Sequence, residues 1–108
     1  LNRAVVTGRQ HSHQSAAKAW CMATPAAVAT VSYNVSSVSD NGTGHCTVNL
    51  TTAFSSATYG IVVGSQSALH LYSETLSMVA GAWAQQTNNN AAVLTDPGFF
   101  MSAAFGDQ

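Results

Sequence analysis

The sequence predicts an all-β fold, an antiparallel β-sandwich or barrel-like module of about seven short strands. Three observations lead there. First, the stretch from Thr43 to Thr52 alternates strictly, with Cys46, Val48 and Leu50 on one side and His45, Thr47, Asn49 and Thr51 on the other. A period of two sends successive side chains to opposite faces of a half-buried strand. Second, turn chemistry recurs between the apolar stretches, at Thr24-Pro25, Asp40 to Gly44, Gly64 to Ser67 and Thr95 to Gly98. Third, no stretch carries apolar residues at helical spacing over a useful length.

Leu1 to Ser15 has few apolar residues after Val6 and reads as an extended lead-in arm or stalk end, leaving residues 16–108 as the module proper. Ala16 to Met22, with Trp20 and Cys21, is the first strand. Thr24-Pro25 ends it, since proline has no N–H for a ladder. Val28 to Val38 reads as one long strand, with Val31, Tyr33 and Val35 on one face and a bulge near Ser36-Ser37 that brings in Val38. At the following reversal Asn41-Gly42 accepts positive φ, and Asp40, Thr43 and Gly44 extend the loop to about three to five residues.

Thr43 to Thr52 returns, and Phe54 plugs the core edge. Tyr59 to Val63 is a strand, Gly64 to Ser67 a turn, and Ala68 to Tyr72 a strand with Leu69 and Leu71 opposite His70 and Tyr72. Ser73 to Ser77 is ambiguous. Met78 to Ala84 reads as a strand carrying Trp83, Gln85 to Asn90 as a polar loop, and Ala91 to Leu94 as a short strand. Phe99 to Phe105 closes the chain with two apolar faces, as expected of a central strand or of one covered by a neighbouring subunit.

The chain of 108 residues is long enough for one core. Charged residues make up 6% of it, against roughly 25% in ordinary soluble domains. Its polar surface must therefore be Ser, Thr, Asn and Gln, which suits subunit interfaces and carbohydrate contact. No basic stripe exists for nucleic acid, and no apolar run approaches the roughly 18 residues of a membrane helix. The chain opens on Leu1, as a processed product, a fragment or the ordered part of something longer does. Cys21 and Cys46 form one disulfide or stay as buried thiols, the latter preferred. The sequons at Asn34, Asn41 and Asn49 fit β-surface composition better than glycosylation.

Several motifs stand together: Lys18-Ala19-Trp20, Asn34-Val35-Ser36-Ser37, Asp40-Asn41-Gly42-Thr43-Gly44, Thr47-Val48-Asn49, Thr51-Thr52-Ala53 and Tyr59. In these the chain resembles a small domain found near the C-termini of bacteriophage tail-fibre and related virion proteins, over roughly Ala16 to Phe105. It departs from the family pattern at His45-Cys46, where an acidic–aromatic pair is usual, and at Leu50, where Phe is usual. Gln66 to Asn90 has no counterpart. The resemblance implies a non-enzymatic virion component, commonly a homotrimer in fibres, that contacts other virion proteins and takes part in host attachment. It does not identify the receptor, which could be a surface glycan or an outer-membrane protein. A capsid decoration or fibre connector without a receptor, and a carbohydrate-binding module of a larger protein, are the alternatives.

Two sets of candidate site residues follow. His11 and His13, two apart in an extended segment, project to one side. Three parallel chains would then offer an octahedral set of imidazole nitrogens to iron or another transition metal on the trimer axis, as resembling fibres and spikes do. Otherwise they are solvent-exposed histidines, and no cofactor is certain. Tyr72, Trp83, Gln85, Gln86, Asn88, Asn89 and Asn90 could form a sugar-binding surface, because aromatics stack on pyranose faces and amides bond hydroxyls. The competing reading places Trp83 in the core or an interface. No catalytic residues are expected: the four acidic groups lie far apart in sequence, and no nucleophile elbow or phosphate loop appears. His45 and Cys46 point to opposite faces and cannot act as a dyad.

Overall fold

The computed structural model describes residues 16–67 and 71–108. They form eight antiparallel strands: β1 (Ala19–Ala23), β2 (Ala29–Tyr33), β3 (Val35–Gly42), β4 (His45–Leu50), β5 (Gly60–Gln66), β6 (Tyr72–Val79), β7 (Ala82–Asn88) and β8 (Phe99–Phe105). Two four-stranded sheets pack as a sandwich. The first runs β2-β1-β8-β5 and the second β3-β4-β7-β6. The all-β sandwich expected from the period-two pattern is the fold observed, and β8 is a central strand between β1 and β5.

Between the sheets the first contributes small residues, Ala19, Cys21, Ala23 and Ala104, and the second contributes Val48 and Trp83. Phe54 and Tyr59, from the connection between β4 and β5, close one end, their rings stacked at 4.0 Å. Tyr59 meets Trp83 edge-on at 6.4 Å. Its hydroxyl lies 2.9 Å from the Val79 carbonyl and 3.0 Å from that of Ala82, pinning the Ala80-Gly81 reversal between β6 and β7. Phe54 thus takes the place expected of it, at 4% exposure.

Several elements differ from the sequence reading. Val28 to Val38 is not one strand. Asn34 takes φ 59°, a left-handed conformation that Asn tolerates, and the chain leaves the first sheet for the second at this corner. The bulge expected near Ser36-Ser37 is present. The hairpin is tighter than expected. Gly42 pairs with His45 across Thr43-Gly44, and a bulge between Asp40 and Gly42 absorbs Asn41. Gly64 to Ser67 is no turn, because β5 runs on to Gln66 against Phe99. Met78 to Ala84 reverses at Ala80-Gly81. Gln85 to Asn90 is mostly strand β7, and Ala91 to Leu94 keeps a single bridge, Asn88 to Leu94. The lead-in arm and residues 68–70 lie outside the described residues.

Candidate functional site

The outer faces of the two sheets differ in chemistry. On the first sheet, pairing sets Tyr33, Trp20, Ala103 and Val62 in one row and Val31, Met22, Met101 and Gly64 in the next. The rings of Trp20 and Tyr33 stack at 6.5 Å and 21°. Val62 is 61% exposed and Val31 50%. A shallow groove of about 400 Å³ runs between Trp20, Met22, Val62 and Met101, with Gly64, Ser102 and Ala103 among its lining. A side chain grown from Gly64 would meet open space. None of the residues in these two rows is charged.

The outer face of the second sheet is richer in polar side chains, with Leu76 and Val79 of its edge strand β6 also exposed. Ser37 pairs with Asn49 and Ser39 with Thr47, and the Asn49 amide donates to both serine hydroxyls at 3.1 Å. Thr47 Oγ1 donates to Asn41 Oδ1 at 2.7 Å. Further across, His45, Gln86 and Glu74 form one row, and Asn88 and Tyr72 the next. Glu74 Oε1 accepts from Gln86 Nε2 and, at 3.1 Å, from Asn88 Nδ2. Tyr72 stands beside them, 64% exposed.

The sequence-predicted sugar-contact residues divide accordingly. Tyr72, Gln86 and Asn88 share this face. Asn90 is exposed in the loop after β7, whereas Asn89 shapes that loop, its Oδ1 accepting from the N–H groups of Ala91 and Val93. Trp83 and Gln85 do not belong to a surface at all, at 1% and 0% exposure. They alternate inward along β7, where Trp83 Nε1 donates to Gln85 Oε1 at 3.3 Å and Gln85 Nε2 to the Met101 carbonyl at 3.4 Å. Their polar atoms are satisfied inside the protein, so neither can meet a ligand on the outer face. Glu74 and His45 join the site without having been singled out for it. The alternation of Tyr72 and Glu74 was the available signal, hidden because Ser73 to Ser77 fits no clear pattern. His11 and His13, with His70, lie outside the described residues. Among the described residues no three His, Cys, Asp or Glu side chains gather around a point that could hold a metal ion.

Both thiols are buried and unpaired with each other. Burial pushes the Cys46 thiol up to about 12, and Cys21 and Asp40 push the same way. A thiol held protonated so far above neutrality is no nucleophile. His45 is turned outward and Cys46 inward, so no dyad forms. The asparagines of the three sequons are engaged: Asn34 Nδ2 donates to the carbonyls of Lys18 and Thr52, Asn49 Nδ2 to two serines, and Asn41 Oδ1 accepts from Thr47. Set beside family models, curated proteins and solved structures, the chain has no significant match.

Proposed function

We propose that this chain is a non-enzymatic module of a bacteriophage virion protein, a tail-fibre or fibre-tip domain that self-associates as a homotrimer and takes part in host attachment. The observation that carries the assembly half of this reading is the uncharged, apolar outer face of the first sheet, with Trp20, Tyr33, Val31, Met22, Val62 and Met101 in adjacent rows. Isolated exposed hydrophobics are ordinary, but a contiguous patch marks contact with another molecule. The motifs from Lys18 to Tyr59 supply the virion half. The polar face of the second sheet is then the one left to meet the host.

Magnitudes limit what one face can do. With strands about 4.8 Å apart and about 3.3 Å per residue, four strands over some five residues cover roughly 300 Å². A standard interface takes about 800 Å² from each partner, so surface beyond this sheet must complete the assembly.

Sedimentation equilibrium tests the reading. The wild-type chain is expected at three times the chain mass. The double variant Trp20→Ser, Val62→Glu is expected as a folded monomer, since both positions are exposed. A wild-type monomer at tens of micromolar would overturn the fibre reading and favour a module of a larger carbohydrate-binding protein. A trimer that persists in the double variant would remove the first sheet from the interface. A trimer that ignores host cells would favour a connector or decoration.

A further inference from the structure

We propose that the outer face of the second sheet carries a binding site for a neutral pyranose, centred on Glu74 and completed by Tyr72, Gln86, Asn88 and His45. This rests on the attachment reading and names the ligand class and the residues. The argument starts from a donor–acceptor account. The amide groups of Gln86 and Asn88 each commit one N–H to Glu74 Oε1. Each amide keeps a second N–H and its carbonyl oxygen, and Glu74 keeps its other oxygen. The three side chains therefore present donors and acceptors side by side, already ordered by one another.

A sugar hydroxyl both donates and accepts, so a pair of neighbouring hydroxyls matches a carboxylate flanked by amides. Hydrogen bonds to a charged acceptor are the stronger kind. Pre-ordering lowers the entropy lost on binding, which is large when rotamer-rich Gln and Glu side chains must be fixed. Tyr72 pairs with Asn88 on the same face and is 64% exposed, so its ring offers an apolar surface to the C–H side of a sugar ring. His45, opposite Gln86 on β4, borders the site on the other side.

The charge selects among sugars. Glu74 is the single charged side chain in these two rows. A uronic acid, a sialic acid or a phosphorylated sugar would bring its own negative charge against that carboxylate, and no Arg or Lys stands in either row to offset it. Neutral hexopyranoses carry no such penalty. The site is thus selective by repulsion as well as by fit.

Nuclear magnetic resonance titration of the full chain provides the test, with methyl α-D-glucopyranoside, methyl α-D-galactopyranoside and methyl α-D-mannopyranoside as neutral probes and D-glucuronate as the charged one. At least one neutral glycoside is expected to shift the backbone signals of Tyr72, Glu74, Gln86 and Asn88 saturably, at millimolar strength typical of a single shallow sugar contact. Glucuronate is expected to leave them in place. Tyr72→Ala and Glu74→Ala, both at exposed positions, are each expected to weaken binding at least tenfold, about 1.4 kcal/mol. Glu74→Gln is expected to narrow the gap between neutral and charged probes. The proposal is overturned if no neutral glycoside moves these signals by about 50 mM, well above the millimolar range of weak sites. It is equally overturned if the shifts survive Tyr72→Ala and Glu74→Ala, or if glucuronate binds as well as the neutral probes. Sedimentation of the same samples keeps the two ideas apart. A trimer that ignores sugars sinks this site alone, and a monomer sinks the fibre reading whatever the titration shows.

Discussion

Replacing Asn34 with alanine should destabilise the protein by about 3 kcal/mol, and the figure can be built from its surroundings. Asn34 is the corner where the chain changes sheets, with φ 59°. Its Nδ2 donates to the Lys18 carbonyl at 3.1 Å and the Thr52 carbonyl at 2.9 Å, and its Oδ1 accepts from Thr52 N at 2.7 Å. One side chain thereby ties the entry to β1, the β2–β3 corner and the exit from β4. Three partly exposed hydrogen bonds are worth about 0.5–1 kcal/mol each. Holding alanine in the left-handed region adds about 1 kcal/mol. Asn34→Gly separates the two contributions, because glycine accepts the backbone but loses the bonds, and it should cost about 2 kcal/mol. Asn34→Asp keeps an acceptor for Thr52 N but turns a carboxylate oxygen toward two carbonyls, so it should not rescue. Urea unfolding monitored by tryptophan fluorescence, from Trp20 and Trp83 together, reads all three. Should Asn34→Ala lie within 0.5 kcal/mol of wild type, or Asn34→Gly fall below it in stability, the corner is not held as described.

Two further predictions concern the core and its edge. Gly44 at φ 67° sits in a notch where a Cβ would lie 2.7–2.8 Å from backbone atoms of Thr87 and Thr95, so Gly44→Ala should cost about 3 kcal/mol from backbone strain and overpacking together. A melting temperature unchanged by that substitution would show that the Thr95–Asp96 segment yields freely. The Cys46 thiol, ordinarily at 9.0 and raised to about 12, binds its proton more tightly folded than unfolded. Its contribution to stability is whole below pH 9 and is lost as pH rises toward 12, at up to about 1.4 kcal/mol per pH unit. Burial raises Cys21 and Tyr59 in the same sense. Denaturant midpoints should therefore fall above pH 9, and Cys46→Ala should flatten that fall; an unflattened slope would assign it to other groups.

The local parts of this fold were legible, and the non-local parts were not. The alternation of β4, the reversal after Asp40, the bulge near Ser36 and the central place of β8 all follow from neighbours in sequence. Asn34 was missed because its side-chain partners, Lys18 and Thr52, lie far along the chain, and a single left-handed Asn leaves the apolar alternation of Val31, Tyr33 and Val35 intact. The second half of β7, from Gln85 on, reads as a loop because its inward residues beyond Trp83 are Gln85 and Thr87. Polar side chains can face a core only where acceptors wait for them, here the carbonyls of Met101 and Thr95, and nothing in the local sequence announces those. The same inversion moved Trp83 and Gln85 from the expected sugar surface into the interior and left Gln86 and Asn88 outside. Glu74 became visible as a partner only when β6 and β7 paired.

The first sheet distributes its volume in an unusual sense, and this bears on what the protein does. Its fully buried inward residues are mostly small, Ala19, Cys21, Ala23 and Ala104 beside Phe100, with Ile61 packed against them, while Trp20, Met22, Tyr33, Val62 and Met101 point outward. A sheet built to face water would carry its large apolar groups inside, where full burial is worth about 1.5–3 kcal/mol for each side chain. Here they are already partly covered by one another, so completing their burial gains about 1 kcal/mol apiece. Five such groups give about 5 kcal/mol per chain, the lower end of what association costs in lost freedom. One pair of faces is therefore too weak to hold two chains firmly, whereas several copies that each bring this face, together with further contacts, can assemble. The second sheet, which exposes Leu76 and Val79 on its edge strand β6 but is otherwise largely polar, has less such need. Its Ser, Thr, Asn and Gln side chains bond to one another across the strands, leaving it wet and ordered, and that is the condition for meeting a hydroxyl-rich ligand.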